Sequence, residues 1–219
     1  MFLVIGDILT ATEIEAITMH LSTEVNFHDG KSTAGAHART VKNNEQAANE
    51  AAAPVLKKVE TALLAHPVFK AAALPKSFVK LMVSRYRPGM HYGTHVDDPL
   101  MLGTRTDLSF TLFLNPPETY AGGELVIEEN GGDRSFKLTA GSLILYPTTS
   151  LHRVEEVTSG ERLAVVGWVR SFLRDPQQRE LLFDLENTIA SLKAENASRP
   201  VLDHIFKIRA NLLRMWATD

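Results

Sequence analysis

From residue 1 to about residue 75 the apolar positions fall mostly at helical spacing. After the short apolar run Phe2 to Ile5, Thr10-Ala11-Thr12-Glu13 has the form of a capping box ahead of Ile14, Ile17 and Leu21. In such a box the hydroxyl and the carboxylate each take a free backbone N–H, so an amphipathic helix is expected there. Near Phe27-His28-Asp29-Gly30 the pattern breaks into Gly, Ser, Thr and Ala through Ala38, which predicts a turn with a loop or an irregular strand, ended by Val41-Lys42-Asn43-Asn44. Gln46 to Ala65 is rich in Ala, Leu, Lys and Glu, with Val55, Leu56, Val59 and Leu63 as its apolar positions. A long helix is expected over it, bent or started at Pro54. A shorter helix or turn follows from Phe69 to Leu74.

The period then changes to two. Phe78, Lys80, Met82, Ser84 and Tyr86 alternate with Val79, Leu81, Val83 and Arg85. Thr106 to Leu114, Glu124 to Glu128, Ser135 to Leu138, Ser142 to Tyr146, His152 to Val157 and Arg162 to Val169 all have strand length and β-branched or aromatic content. Gly- and Pro-rich turns such as Asn115-Pro116-Pro117, Gly122-Gly123 and Asn130-Gly131-Gly132-Asp133 separate them. That punctuation suits an antiparallel sandwich or jelly roll better than crossover helices. Asp175-Pro176 next supplies an N-cap and a first-turn proline, and Leu181, Leu182, Leu185, Ile189 and Leu192 return to helical spacing. A last helix is expected to carry Leu202, Ile205, Ile208, Leu212, Leu213 and Trp216. The chain thus divides into N-terminal helical support over 1–75, a β core over 76–174 and a C-terminal helical appendage over 175–219, mainly β with flanking helices. The apolar stripes of the appendage are read as packing surfaces, against the β core or in a homo-oligomer, with Trp216 as an anchor.

Length and charge narrow the function. The 219 residues suffice for one full core with an appendage but are short for two catalytic domains. A formal charge of −3 argues against nucleic acid as a partner and leaves a small molecule or peptide. Cysteine is absent, which excludes disulfides, thiolate ligands and a cysteine nucleophile. The amino terminus is interrupted by Asp7 and lacks a basic leader, and no apolar run approaches a membrane span, so the expected compartment is the cytoplasm.

The chemistry concentrates in Tyr86-Arg87-Pro88-Gly89-Met90-His91-Tyr92-Gly93-Thr94-His95-Val96-Asp97-Asp98. His95 and Asp97 stand two apart in an extended segment, which aims both side chains to one side. One imidazole and one carboxylate fill only part of a coordination sphere, and His152, after the strand ending at Tyr146-Pro147, is the candidate third ligand. Two histidines and a carboxylate on one face leave the opposite positions open, the arrangement of non-haem Fe(II) oxygenases. Ten residues on, Arg162 begins a strand on which it would point inward with Ala164 and Val166. A buried cation there needs an anion, and a dicarboxylate cosubstrate supplies one.

These residues, with Gly122-Gly123-Glu124-Leu125, Ala140-Gly141-Ser142, Leu145-Tyr146-Pro147 and Leu151-His152-Arg153-Val154 between them, resemble the bacterial PKHD-type hydroxylases, Fe(II)/2-oxoglutarate dioxygenases related to prolyl and lysyl hydroxylases. The likeness covers most of the chain. It implies a double-stranded β-helix core, Fe(II) bound by His95, Asp97 and His152, and 2-oxoglutarate and dioxygen as cosubstrates, with Arg162 on the distal carboxylate of the 2-oxo acid. It further implies hydroxylation of a peptide, protein or metabolite with release of succinate and carbon dioxide, with ascorbate as a common accessory reductant. Tyr86 is the second expected contact to 2-oxoglutarate, with Thr111 or Ser109 on the neighbouring strand behind it.

Rival readings attach to several residues. His91 is the competing ligand, being four before His95, though substrate contact or a solvated loop suits it better; Asp98 reads as a turn residue. His20, His28, His37, His66 and His204 read as surface or satisfied histidines, with His37 able to approach the site through its loop. Lys42, Asn43 and Asn44 are candidates for a substrate entrance, and Arg105 with Asp107 for an ordinary strand pair. The loops around residues 30 to 45 and 98 to 105 are expected to line the pocket. Two other functions fit the metal clamp alone. One is a cupin-like metalloenzyme independent of 2-oxoglutarate; the other is a non-catalytic iron or 2-oxoglutarate sensor. Conversion of 2-oxoglutarate to succinate separates both from a dioxygenase.

Overall fold

The alternation after residue 75 builds the strand at the centre of the molecule, Pro75–Tyr86, which pairs along its length with Arg162–Ser171. The computed structural model describes residues 1–218, with Asn49 as backbone only. A seven-stranded antiparallel sheet runs in the order Leu3–Ile5, Leu143–Pro147, Leu108–Phe113, Arg162–Ser171, Pro75–Tyr86, Glu45–Ala47, Phe27–Asp29. A five-stranded sheet, Arg134–Phe136, Leu125–Ile127, His152–Val154, His91–His95, Lys42–Asn43, faces it. This is the mainly β jelly roll with flanking helices that the strand and turn pattern predicts.

Alternation separates two cores. Leu81 and Val83 turn to the helices, joining Phe110, Leu112, Leu143, Leu145 and Val165, while Met82, Ser84 and Tyr86 turn to the opposite sheet. Between the sheets, Tyr86, Phe113, Ile127, Ile144, Tyr146 and Val154 form a second buried cluster. The alternation is broken twice along this pair, at Lys76, where Arg170 lies opposite Ser77 but Ser171 opposite Pro75, and at Val79. Trp168 lies opposite Lys80 but Val169 lies opposite Phe78, so Val79 is an extra residue in a bulge. The bulge sends Phe78 to the helix side, where its ring stacks on Phe69 at 6.1 Å, and leaves Lys80 between the sheets.

The first helix, Ala11–Thr23, has the expected capping box: Glu13 N–H donates to Thr10 Oγ1 at 3.3 Å, and Thr10 N–H to Glu13 Oε2 at 2.9 Å. Such a cap contributes about 1 kcal/mol. Full burial of one Leu or Phe contributes roughly 1.5–3 kcal/mol, so packing of Ile17, Leu21, Val59, Leu63 and Phe69 on the sheet is what holds the N-terminal helices.

The N-terminal segment also differs from the sequence expectation. The long helix begins at Asn49, not Gln46, and Pro54 lies inside it; Glu45–Ala47 is a strand. Four strands of the first 75 residues join the two sheets. Strands of two or three residues are too short to show a period of two, and the Ala-rich composition that follows masks the last of them.

At the other end, Asp175 caps helix Pro176–Ala194, which buries Leu182 and Ile189, and Arg179 donates to the carbonyls of Leu173 and Arg174 at 2.7 and 2.9 Å. Helix Arg199–Trp216 packs on that helix, with Arg209 paired to Glu186, and buries no residue fully. Among the described residues no helix is long and apolar enough to cross a membrane.

Candidate functional site

His95 ends strand His91–His95 and His152 opens strand His152–Val154, and the antiparallel register sets the two directly opposite each other. The loop leaving His95 carries Asp97 back over them, so that its Oδ1 stands 4.0 Å from His95 Nε2 and 3.9 Å from His152 Nε2. These three atoms lie close enough to share one ion. Each ring is fixed by its other nitrogen: His95 Nδ1 donates to the Gly93 carbonyl at 2.9 Å and His152 Nδ1 to the Ser150 carbonyl at 3.1 Å. A carbonyl only accepts, so the proton sits on Nδ1 and both Nε2 lone pairs point at the carboxylate. Tyr92 stacks on His95 at 3.7 Å and Tyr146 meets His152 edge-on at 5.2 Å. Burial, and next the neighbouring His152, hold the His95 imidazole below its ordinary titration range, against the opposing pull of the Gly93 carbonyl and Asp97. A neutral ring is what a metal requires.

Ser109 does something the sequence did not suggest. From the cavity wall, its hydroxyl donates to Asp97 Oδ2 at 2.6 Å. That bond occupies the outer carboxylate oxygen and orients Oδ1 towards the imidazoles. Ser109→Ala is therefore expected to weaken metal binding by about 10–100-fold. Titration with Mn(II) reads this directly, and an unchanged affinity would remove the role. Two neutral imidazole nitrogens and one carboxylate oxygen on one face, beside a cavity, fit a first-row divalent ion with positions left open, Fe(II) among them.

The cavity measures about 520 Å³ and lies between the sheets, with Asp97, His95 and His152 in its wall. Both loops expected to border it do so, through Thr33, Ala34, Gly35 and Ala38 on one side and Leu100, Met101 and Leu102 on the other. Gly35 lets the Asp98 carboxylate lie close against the backbone, since a Cβ on it would fall 2.7 Å from a carboxylate oxygen and push that side chain aside. Asp98 is thus part of the cavity wall as well as the turn whose carbonyl accepts from Thr106.

Arg162 points inward as expected and is 1% exposed. Its guanidinium lies between the rings of Tyr86 and Phe113, at 5.2 and 5.1 Å, and its Nε and Nη2 have no hydrogen-bond partner among the described residues. Gly123, at φ +70°, makes room: a Cβ there would come within 3.0 Å of Arg162 Cδ. Tyr86, in register with Arg162, borders the cavity beside it, and Thr111, in register with Val166, borders it four residues further along that strand. Burial raises the Tyr86 phenol above its usual range, against the lowering effect of Arg162 and a hydrogen bond with Asn44. Thr111 is engaged with Tyr146.

Of the other residues singled out, His91 pairs with Asn43 across the sheet edge and takes no part in the triad. His37 is exposed on a short helix away from the wall. Lys42 and Asn44 border the cavity, whereas Asn43 turns outward and donates to the Gly89 carbonyl at 3.0 Å. Arg105 and Asp107 form the ordinary pair at 2.8 Å, and Asp107 also accepts from Ser171 N–H. Lys80 and Trp168, which alternation alone did not distinguish, also line the cavity.

Comparison with known proteins agrees with this geometry. Residues 81–170 match the 2OG-Fe(II) oxygenase superfamily and residues 176–218 the PKHD-type hydroxylase C-terminal domain. A PKHD-type hydroxylase of Acaryochloris marina is 53% identical over 99% of this chain and 100% of that protein. One from Parvibaculum lavamentivorans is 49% identical, covering 100% of both. Among solved structures, a Pseudomonas putida prolyl-4-hydroxylase superposes with a TM-score of 0.54 at 22% identity, covering 78% of this chain and 92% of that one. A Trichoplax adhaerens prolyl hydroxylase bound to a hypoxia inducible factor peptide gives 0.57 at 16% identity, covering 82% and 86%. At such identities the two structures speak to the fold.

Proposed function

Since the chain belongs to the PKHD-type hydroxylases, a family of Fe(II)- and 2-oxoglutarate-dependent dioxygenases, we propose that His95, Asp97 and His152 hold its iron and that Arg162 binds its 2-oxoglutarate. The observation that carries the assignment is the convergence of two proton-free Nε2 atoms on one carboxylate oxygen in the wall of the cavity. An Fe(II) held by these three residues would activate dioxygen, the oxidant, whose two oxygen atoms would end in succinate, formed with carbon dioxide from 2-oxoglutarate, and in the hydroxylated C–H bond.

The chain's own residues bind, orient and exclude water. Arg162 presents a planar fork of donors, with Nε and Nη2 unpaired, to the distal carboxylate of the cosubstrate. In a buried site that carboxylate neutralises a cation which otherwise bears its full desolvation cost. The Tyr86 phenol is a further donor beside Arg162, and the Thr111 hydroxyl is another further along the cavity wall. Tyr92 and Tyr146 hold the two imidazole rings in plane and keep solvent from them.

The same reading extends to the rest of the chain. Residues 1–75 support the catalytic core at 76–174, and 175–219 form an appendage through whose exposed stripe the protein self-associates. Ascorbate serves as accessory reductant and the enzyme works in the cytoplasm. The substrate is a small molecule or a peptide. The test is a screen of metabolite and peptide pools for anaerobic binding to the iron- and 2-oxoglutarate-loaded protein, followed by exposure to air. A bound compound should gain one oxygen as one succinate forms per 2-oxoglutarate consumed, and a ferrous chelator should stop both. Succinate formation indifferent to iron would overturn the assignment.

A further inference from the structure

Away from Arg162, the cavity wall carries two lysines, Lys42 and Lys80. Lys80 sits six residues from Tyr86 on the same strand and on the same face, which places it about 20 Å from Tyr86 along the sheet. Directly opposite Lys80 is Trp168, whose indole N–H is buried without a partner. Lys42 reaches the same region from the facing sheet. It is 4% exposed, and its ammonium lies 5.1 Å from the centre of the Tyr92 ring, the ring stacked on His95.

These groups share one property, which is unused donor capacity. Lys42 Nζ donates to Thr33 Oγ1 at 3.0 Å, a neutral acceptor whose own single proton goes to Gln46 Oε1 or to the Gly30 carbonyl. Among the described residues no carboxylate pairs with Lys42, and Lys80 has neither an ion pair nor a hydrogen bond. Asp97 and Asp29 act on Lys42 only at longer range, and Lys80 opposes them. Burial lowers Lys42 to about 8 and lowers Lys80 as well. Two lysines without a carboxylate partner and an N–H without an acceptor among the described residues, all lining one cavity, are costly unless something brings an anion in.

We propose that Lys42, Lys80 and the Trp168 indole form a subsite for an anionic group, a carboxylate, carried by the molecule that is hydroxylated. 2-Oxoglutarate cannot serve both Arg162 and these lysines. Its carbon chain spans only about 5 Å, at roughly 1.5 Å per bond, and Arg162 with Tyr86 lies at the far end of the strand. The inference rests on the Arg162 assignment above and adds the substrate class to it: a molecule with a negative charge on the side of the reacting carbon away from the cosubstrate. The carboxylate has two sources, a small organic acid or an acidic residue of a peptide.

The probes are benzoate against benzamide, and the blocked peptide acetyl-Ala-Asp-Ala-amide against its Asn counterpart. They are titrated without oxygen into protein loaded with Fe(II) and saturating 2-oxoglutarate. The protein has two tryptophans, so a Trp216→Phe background leaves Trp168 as the fluorescent reporter. At least one acid should bind about tenfold or more tightly than its amide, and which of the two does so identifies the source. Lys42→Met and Lys80→Met should each erase that preference while leaving 2-oxoglutarate affinity unchanged, which also certifies the fold of the variants. Lys80→Glu, at a half-buried position, should reverse the order. Equal affinity for acid and amide, including no binding of either, would overturn the proposal, as would a preference that survives in both methionine variants. Loss of 2-oxoglutarate affinity in those variants would move the lysines to the cosubstrate and also overturn it. Failure of the underlying reading is separate, since it appears as an Arg162 variant with normal 2-oxoglutarate affinity.

Discussion

Asp97→Ala is expected to abolish both iron retention and 2-oxoglutarate turnover. The carboxylate is the one anionic donor of the triad, and without it two neutral imidazoles face the cavity. Losing a direct ligand should cost more than the roughly 10–100-fold that loss of a supporting contact costs. A thermal shift measures the same event without any reaction. At a metal concentration of about 100 Kd, the wild-type protein gains about 2.7 kcal/mol. For a chain of this size that raises the midpoint by roughly 5–10 °C. The variant should gain nothing at the same concentration. Asp97→Asn, of equal shape and still able to accept from Ser109, should behave like the alanine variant and so separates charge from packing. Near-normal turnover, or a metal-dependent midpoint in either variant, would remove Asp97 from the ligand set.

Arg162→Ala is expected to raise the 2-oxoglutarate requirement steeply. Two parallel charge-assisted hydrogen bonds at about 1.5–3 kcal/mol each correspond to a weakening of roughly 10²–10⁴-fold. Arg162→Lys should rescue poorly, because a single ammonium cannot reproduce the fork. The unpaired state of the guanidinium gives a second readout. Removing a buried cation that has no carboxylate partner among the described residues, and whose Nε and Nη2 are unpaired, relieves a cost, so the cosubstrate-free midpoint of Arg162→Met should be no lower than that of the wild type. 2-Oxoglutarate should then raise the midpoint of the wild type alone. An unchanged requirement in Arg162→Ala would mean that the distal carboxylate binds elsewhere.

The candidate ligands are legible because their signal is local: His95 and Asp97 are two apart, and His152 and Arg162 each sit at the start of a stretch with clear strand content. The strand ends at His95, however, and Asp97 stands in the loop that follows, so its approach to the imidazoles comes from the loop and not from alternation. Alternation gives the face of Ser109, a candidate with Thr111 behind Tyr86, but not its bond to Asp97. Strand Glu45–Ala47 was absorbed into a helix because three residues carry no period. Lys42 was singled out as an entrance residue, but its nearness to Lys80 could not be read from positions 38 residues apart on opposite sheets.

By itself the sequence determined the succession of strands and turns after residue 75, the donors available for a divalent ion and the inward-facing arginine, since residue type, chain spacing and the alternation of an extended backbone are properties of neighbours. Tertiary structure alone decided that Val79 bulges, which turns Phe78 to the helices and keeps Lys80 in the cavity. It also decided that Ser109 clasps Asp97 and that Lys42, Lys80 and Trp168 line one cavity. Register and approach between distant segments follow from how two apolar faces close on each other, and no stretch of chain contains that information until the sheets have packed.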